Sequence, residues 1–316
     1  MPAPFAASLC GFRPKNGNPN TSDNNDKGSI ELGLALFEEM GVPEGQVVGD
    51  DPGANMEIAI VNDLQPHRSD LLIRRGPSAL AFEQYAHLRV FPEFRRGHQD
   101  VMPHVEHLMR LASALPSSGP VDQLRTAIAD AEEVFRGQDR MSERLKLYMP
   151  EESLLNLDIT CASEQEAMEP ILHLGLSSKW SLRTDRAQDC VSQGSKLASQ
   201  RRGPMPHYAV ITMEPRPAML KILADGSGSV DYVYHLDLPA LKRAMKKVRA
   251  QRRSNKWSPG DTFDRLLNQG RIRDYDQLVD AVKNIPKGLR PSVPEHAAEQ
   301  VPPPHDSGSV GLTALS

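Results

Sequence analysis

The hydrophobic period of the chain changes near residue 150, and this change most limits the folds open to it. Before that point, apolar residues recur at helical spacing in the runs 29–41, 55–66, 78–89, 100–114 and 121–135. After it, apolar or alternating runs predict strands at 154–160, 171–178, 208–213 and 230–235, with a helix between about 186 and 200. We therefore predict an α/β fold in which helices flank a mixed central β-sheet.

Both ends of the chain lack periodic apolar residues. Residues 1–28 are rich in Pro, Asn, Asp and Gly, which predicts a flexible N-terminal loop or arm. Residues 287–316 contain Pro, Ser, Gly and His without a pattern, which predicts a disordered C-terminal tail. A single domain over 29–286 is expected between them, since 316 residues can bury one large core.

Composition excludes several classes of protein. No apolar run approaches the roughly 20 residues that span a bilayer, so we expect no membrane partner. Three cysteines without metal-ligand spacing favour free thiols in a reducing cytoplasm. A formal net charge of −4 argues against a protein that coats nucleic acid indiscriminately, although a basic concave site can lie in an acidic body.

One charged stretch combines two kinds of chemistry. Residues 177–186, SSKWSLRTDR, place Lys179 at the end of a predicted strand and Arg183, Asp185 and Arg186 just after it. A guanidinium donates two hydrogen bonds to guanine, and a carboxylate accepts one from cytosine N4. A lysine suits a charge-handling or metal-assisted reaction, so the stretch suggests a sequence-specific nuclease. Most charged segments of this length are solvated loops, and for the stretch taken alone that interpretation stays open.

Asp158, predicted to lie inside the strand at 154–160, is the carboxylate that would complete such a site. In this interpretation Asp158 holds a divalent cation against the scissile phosphate, and Lys179 stabilises charge or activates the attacking water. Carboxylate and carbonyl oxygens favour Mg²⁺ as the cofactor. The competing interpretation is a purely structural ion pair, which would place a costly charge pair in a sheet without purpose.

A strongly basic helix is predicted over 238–256. Two interpretations stay open: its lysines and arginines track DNA phosphates, or they balance acidic neighbours on a solvated face.

The segment 172–188, LHLGLSSKWSLRTDRAQ, resembles the NgoMIV family of type II restriction endonucleases. The resemblance continues through Pro206-His207, Glu214-Pro215 and 231–235, with weaker similarity at 53–57 and 84–88. It implies a restriction-endonuclease-like PD-(D/E)XK core that cuts duplex DNA with Mg²⁺. Members of the family assemble as homotetramers and recognise palindromes with a CCGG core.

The resemblance also implies roles for individual residues. Asp158 would be the metal-binding aspartate, Lys179 the catalytic lysine, and the Ser178 carbonyl a metal ligand, with Ser177 and Glu57 as further site residues. The CCGG core would be recognised by three residues: Arg183, Asp185 and Arg186. We expect a palindromic site to require at least a twofold dimer.

The chain departs from the family pattern at three places. Leu157 stands where the motif has proline. Gln193 stands where a metal-site glutamate is expected, and we hypothesise that Asp189, one turn earlier on the same helix face, supplies the missing carboxylate. For the outer base pair, Asp23 matches an acidic loop residue, whereas Met219 occupies the arginine position and Arg216 lies close by.

Three hypotheses follow from these observations. The first is a cytoplasmic type II endonuclease of a restriction-modification system that leaves 5′ extensions at a CCGG-centred site, with GCCGGC as the best single sequence. The second is a homologue that binds the same DNA but is impaired in cleavage by Gln193. The third is an interaction protein whose Arg-Asp cluster is a salt-bridge network, which predicts no steep salt dependence of DNA affinity.

Overall fold

The computed structural model describes residues 1–48, 52–97, 101–148, 155–166, 168–225, 228–252 and 256–287. Its strands are β1 (Leu71–Arg75), β2 (Ile159–Gln165), β3 (Met168–Lys179), β4 (His207–Thr212), β5 (Tyr232–His235) and β6 (Ile272–Asp274). Its helices are α1 (Ala6–Leu9), α2 (Lys27–Met40), α3 (Gly53–Leu64), α4 (Glu83–Ala86), α5 (Val90–Gly97), α6 (Met102–Ala114), α7 (Gly119–Tyr148), α8 (Thr184–Gln200), α9 (Pro217–Ala224), α10 (Leu238–Ala250), α11 (Ser258–Asn268) and α12 (Tyr275–Lys283).

The six strands form one sheet in the order β1-β2-β3-β4-β5-β6. The first three are antiparallel neighbours, and β3 to β6 run parallel. The predicted α/β fold with a mixed sheet and flanking helices is therefore confirmed. Because β3, β4 and β5 run in the same direction, their carboxyl ends meet at one edge, where ligands bind in many open α/β sheets.

Local sequence signals explain where α2 begins and ends. The Asp26 side chain accepts hydrogen bonds from the backbone N–H groups of Gly28 and Ser29, which satisfies donors of the first turn. Gly41 ends the helix in the left-handed region with a φ of 71°. These signals place the helix within two residues of its predicted start and one of its end.

The structure corrects the predicted strand at 154–160. Residue 154 lies outside the described residues, and β2 begins only at Ile159, so that Asp158 precedes the strand instead of lying inside it. Leu155 and Leu157 are buried in an extended segment that forms a single bridge from Asn156 to Ser78. The apolar alternation at 154–160 therefore corresponds to a buried extended segment that leads into β2. The second half of β2 was not predicted because it contains fewer apolar residues.

Other elements also differ from the sequence prediction. The predicted helix at 78–89 is the short helix α4 between two 3-10 turns, Ala79–Ala81 and His87–Arg89. The helix predicted at 121–135 is the 30-residue α7. The structure adds β1, β6, α1, α5, α9, α11 and α12 to the predicted elements.

The N-terminal segment 1–28, expected to be a flexible loop or arm, is mostly loop but packs against the body. Ala3, Ala6 and Cys10 are buried, and the Ala3 N–H donates to the Leu236 carbonyl at 2.7 Å. The predicted C-terminal tail lies outside the described residues from 288 onward. Within the described ranges, no helix combines the length and apolarity needed to cross a bilayer.

The basic residues of α10 face acidic partners on neighbouring helices. Arg243 pairs with Glu39 of α2 at 2.8 Å, and Arg249 pairs with Asp264 of α11 at 2.7 Å. Lys247 likewise pairs with Glu38. Of the two interpretations of the basic helix, this geometry favours charges that balance acidic neighbours. Residues 253–255, at its predicted end, lie outside the described residues.

Candidate active site

The position of Asp158 follows from the pairing of β2 with β3. The ladder reaches Ile159 opposite Leu176, and β3 then continues to Lys179 beyond it. The Asp158 Oδ2 atom accepts a hydrogen bond from the Ser178 backbone N–H at 2.7 Å. The side chain thus provides the acceptor that β3 needs beyond the end of its pairing with β2. This contact fixes the carboxylate beside the end of β3.

Lys179, the last residue of β3, pairs with that carboxylate. Its Nζ atom lies 2.6 Å from Asp158 Oδ2, and the two side chains remain 22% and 25% exposed. The pair is therefore neither a buried structural bridge nor a fully solvated surface contact. It is a charged pair that stays accessible to a ligand.

A buried polar cluster lies behind the pair. The Ser177 hydroxyl donates to Asp158 Oδ2 at 3.2 Å and lies 3.4 Å from Cys190 Sγ. The Tyr208 hydroxyl donates to the Cys190 carbonyl at 3.0 Å and lies 3.2 Å from Gln193 Oε1. Burial raises the pKa of Cys190 and that of Tyr208, so both groups stay neutral.

Gly194 makes the close packing of α8 against Tyr208 of β4 sterically feasible. A Cβ atom there would lie 2.5 Å from the Ser229 carbonyl oxygen and 2.7 Å from Tyr208 Cδ1. The glycine lets α8 approach the Tyr208 ring closely, which brings Gln193 to the hydroxyl. Asp189, the residue proposed to replace the missing carboxylate, is exposed on the same helix.

Residues 181–186 connect β3 to the first turn of α8, and we call them the recognition segment because the sequence analysis expects Arg183, Asp185 and Arg186 to contact DNA bases. Arg183 is the N-cap of α8, and Asp185 and Arg186 lie in its first turn; all three are exposed. Trp180 and Leu182 are buried between them and Lys179, at 5% and 1% exposure. Buried side chains at Trp180 and Leu182 thus anchor the start of a run of exposed residues at 183–186.

Glu214 and Arg216 form an ion pair that anchors the recognition segment at Leu182. Glu214 is fully buried, accepts the Leu182 N–H at 2.7 Å and lies 2.7 Å from Arg216 Nε. Arg216 also donates from Nη2 to the Leu182 carbonyl. Burial alone would lower the pKa of Arg216, but the hydrogen bond and charge of Glu214 raise it, so the guanidinium stays ionised.

The N-terminal loop meets the same guanidinium. Arg216 Nη1 lies 3.5 Å from a carboxylate oxygen of Asp23 and 3.5 Å from one of Asp26. Arg13 organises the loop by donating to the carbonyl oxygens of Pro19, Asn20 and Ser22. The two residues expected to contact the outer base pair, Asp23 and Arg216, therefore lie side by side.

Glu57 projects from α3 and is held by Arg75 at the end of β1. Arg75 donates from Nε and Nη2 to Glu57 Oε2, at 3.1 and 2.9 Å. Within the described residues, Glu57 Oε1 receives no comparable bond from this arginine. One carboxylate oxygen is fixed and the other is left for a further ligand.

These elements enclose a cavity of about 730 Å³. Its charged lining contains Arg13, Asp23, Glu57, Lys179, Arg183, Arg186 and Arg216, five cations and two anions. Ser178 also lines it, whereas Asp158 and Ser177 join it through their contacts with Ser178 and Lys179. Asp185 and Gln193 lie outside the lining. The site is basic although the whole chain has a net charge of −4.

The potential metal ligands around Lys179 are oxygen atoms, which are the ligands that Mg²⁺ prefers. Among the described residues no three His, Cys, Asp or Glu side chains converge on one point. Mg²⁺ does not need such a cluster, because it binds through one or two carboxylates together with water and substrate phosphate. The Ser177 hydroxyl, the Ser178 N–H and Lys179 Nζ all bond to Asp158 Oδ2, and within the described part of the chain no such bond reaches Oδ1, which leaves that oxygen for an added group. The residues present fit a magnesium site.

Comparison with known proteins identifies the family. The model of the NgoMIV restriction enzyme family matches residues 70–280, well over half of the chain. The chain belongs to the NgoMIV restriction enzyme family. The type II restriction enzyme NgoMIV of Neisseria gonorrhoeae is 29% identical over 201 residues, which cover 62% of this chain and 60% of that relative. The NgoMIV family match includes Asp158, Lys179 and the recognition segment and begins after Asp23 and Glu57.

Some residues of this NgoMIV-family site were not expected from the sequence. Arg75 and Tyr208 acquire their roles only through contacts with Glu57 and Gln193. Glu214 was noted as part of a family-like Glu-Pro pair, but its bond to the Leu182 N–H joins positions 32 residues apart. In the sequence, the only local signal for this role of Glu214 is an acidic residue followed by a proline.

Proposed function

We propose that the protein is a type II restriction endonuclease that hydrolyses phosphodiester bonds of duplex DNA. One observation carries the proposal: Lys179, which pairs with Asp158, lies four and seven residues before the exposed Arg183 and Arg186, and all three cations line one basic cavity. Cleavage chemistry and base recognition would thus be performed by one short connection. The name of the Neisseria relative supports the same activity.

Each residue near the scissile phosphate would have a distinct task. Asp158 and the Ser178 carbonyl would hold Mg²⁺, with Glu57 and Gln193 as further members of the site. When bound, the metal would lower the pKa of water and neutralise phosphate charge. Lys179 has three N–H donors, of which one is used by Asp158, so two remain for phosphate oxygens. Ser177 would keep the Asp158 carboxylate oriented.

Recognition of a CCGG core would fall to Arg183, Asp185 and Arg186. Their exposure and the absence of ion pairs to both arginines within the described residues leave the guanidinium forks available for guanine edges. Asp23 and Arg216 would contribute to the outer base pair, for which GCCGGC is our proposal. Because Arg216 already contacts Glu214, Leu182 and the N-terminal loop, its contribution would include holding that loop in place.

A palindromic DNA site requires two recognition segments related by a twofold axis. We propose a homodimer as the smallest active unit, with pairs of dimers forming a tetramer that engages two sites, located in the cytoplasm with its DNA substrate. Cuts on the 5′ side of the CCGG core would leave 5′ extensions.

Plasmid digestion tests the proposed activity. Plasmids with one and two GCCGGC sites are incubated with the protein and Mg²⁺, and the ends are mapped. We expect cuts at CCGG-centred sites with 5′ extensions, faster on the two-site plasmid if tetramers form. A plasmid with every CCGG removed is the matched control. Equal cutting of that control, or cuts without a common core, would contradict the proposal.

A second candidate is favoured by one observation. Gln193 places a neutral amide where the family pattern has glutamate, and its oxygen lies within hydrogen-bond distance of the Tyr208 hydroxyl. An amide brings no charge to a metal site, so the protein would bind CCGG duplexes while cleaving slowly or not at all.

Substitutions on α8 separate these two candidates. If Gln193 impairs cleavage, Gln193→Glu is expected to raise the Mg²⁺-dependent rate by about 10–100-fold with little change in DNA affinity. If Asp189 compensates, Asp189→Asn is expected to lower the rate of the parent protein by a similar factor. Gln188→Glu, an exposed position on the same helix, controls for added charge. Parent-rate cleavage by Asp189→Asn would remove the compensation hypothesis.

A further inference from the structure

The helical hairpin of α6 and α7 carries an apolar surface that the rest of the described chain leaves uncovered. The two helices lie between α5 and β2 in the sequence and pack mainly against each other. Large apolar side chains on both of them are about half exposed, notably Leu108 and Leu111 on α6 and Leu115 at its C-cap. Exposed apolar side chains concentrated on one element indicate an interaction surface.

The exposed residues of α7 follow a heptad repeat. Positions 124, 127, 131, 134, 138, 141 and 145 alternate steps of three and four residues, the a and d spacing of a coiled coil. Leu124, Val134, Met141 and Leu145 are exposed by 47%, 58%, 63% and 50%. We call this row the α7 seam. It spans three heptads, roughly 30 Å of helix at 1.5 Å per residue.

The charges beside the α7 seam are divided along the helix. Asp130 and Arg144 occupy the g positions that flank the seam, one in each half, and neither forms an ion pair within the described residues. The first half also contains Glu132 and Glu133, and the second contains Arg136 and Arg140. A helix with an acidic first half and a more basic second half is complementary to an antiparallel copy of itself.

We propose that α7 pairs with α7 of a second copy of the chain as an antiparallel coiled coil with its twofold axis near residue 136. In this register Ala131 faces Met141 of the second copy, and Ala127 faces its Leu145. In these two layers a small residue meets a large one, which is how facing core positions interdigitate, and the central layers pair Val134 with Gln138 of the second copy. Asp130 then lies opposite Arg144 of the second copy, and the symmetry forms that pair twice.

A parallel pairing of the same helices would lack these matches. In-register a and d layers would place Ala131 against Ala131 and Met141 against Met141, two small residues in one layer and two large ones in another. Position g would face position e of the next heptad, so Asp130 would meet Phe135 and gain no opposite charge. The antiparallel arrangement is therefore the one that the sequence of the seam favours.

Charge reversal tests the ion pairs of this interface in the full-length chain without DNA. We expect Asp130→Arg and Arg144→Asp each to halve the mass of the assembly in sedimentation equilibrium at micromolar concentration. The double variant Asp130→Arg/Arg144→Asp should restore the parent mass, because it exchanges the charges across both pairs. Glu133→Arg makes the same charge change on the outer face of α7 and should leave the mass unchanged.

Disulfide trapping tests the orientation. The double variant Ala131→Cys/Met141→Cys should form intermolecular disulfides, because each new cysteine faces the other type across the seam. Within one helix the two positions are roughly 15 Å apart and cannot join. The native cysteines are buried and do not compete. Either single variant would form dimers only in a parallel pairing.

Several results would overturn the proposal. A monomeric parent protein would assign the seam to a different partner. Unchanged mass in both charge-reversed variants would place the interface elsewhere, and a double variant that stays dissociated would remove the Asp130–Arg144 pairing. Disulfides in the single cysteine variants would establish the parallel arrangement. None of these outcomes depends on DNA cleavage, so they leave the proposed endonuclease activity to its own test.

Discussion

Replacing Lys179 with methionine is expected to lower the rate of Mg²⁺-dependent DNA cleavage by a factor on the order of 10²–10³. Methionine keeps an unbranched side chain of similar length but removes the ammonium that lies 2.6 Å from Asp158. The transition state would then lose the fixed positive charge beside the phosphate. Single-turnover cleavage of a GCCGGC duplex with enzyme in excess measures the chemical step without product release.

Affinity for DNA should respond differently from the cleavage rate. The recognition segment is anchored by Glu214 and Arg216 rather than by Lys179, so Lys179→Met should bind a CCGG duplex within a few fold of the parent. Lys242→Met, at an exposed position of α10, is the matched control and should cleave normally. Cleavage by Lys179→Met at the parent rate would show that the lysine has no part in the chemistry.

Removal of Glu214 is expected to have the largest effect on stability. Glu214→Ala leaves the 11%-exposed guanidinium of Arg216 without its main partner, which costs about 3–5 kcal/mol for a broken buried ion pair. It also leaves the Leu182 N–H without its acceptor. The free energy of unfolding, measured by urea denaturation, should fall accordingly.

A double substitution distinguishes the lost ion pair from lost packing. Glu214→Leu combined with Arg216→Met removes both charges and should recover much of the stability, since apolar replacements of buried pairs are often neutral. Base discrimination should remain impaired, because the Leu182 backbone stays unanchored. Glu169→Ala breaks an exposed pair with Arg89 and should cost no more than about 1 kcal/mol. A similar small loss in Glu214→Ala would contradict the anchoring role.

The parts of the fold that were predictable are those whose signals are local. The helix at 27–40 has a capping aspartate before it and a glycine after it, and the strand at 207–212 is a compact apolar run. By contrast, β1 contains only three apolar residues before Arg74, and its place at the sheet edge depends on pairing with β2. Beyond 135 the sequence left helix and loop open as far as Tyr148, because the apolar row of α7 faces away from the core.

In the candidate site, too, some features have local sequence signals and others depend on contacts between distant parts of the chain. The sequence predicts a shared site for Lys179, Arg183, Asp185 and Arg186 because they lie within eight residues of each other, and their roles stay predictions. The contacts that orient them join distant parts of the chain: Glu214 to the Leu182 N–H, and Arg216 to Asp23 across the N-terminal loop. No periodicity or spacing encodes such contacts, because only the folded sheet brings those residues together.

In the proposed endonuclease, the sharing of one guanidinium by two loops would constrain how a new target sequence is acquired. Arg216 touches the N-terminal loop at Asp23 and Asp26 and the recognition segment at Leu182, while Glu214 fixes its position. A substitution that repositions either loop therefore disturbs the other. Selection for a different outer base pair would have to proceed through paired changes in both loops, with variants of relaxed specificity as intermediates. If the proposed endonuclease belongs to a restriction-modification system, such intermediates would be toxic to the host cell, because they would cut sites that the cognate methylation leaves unprotected.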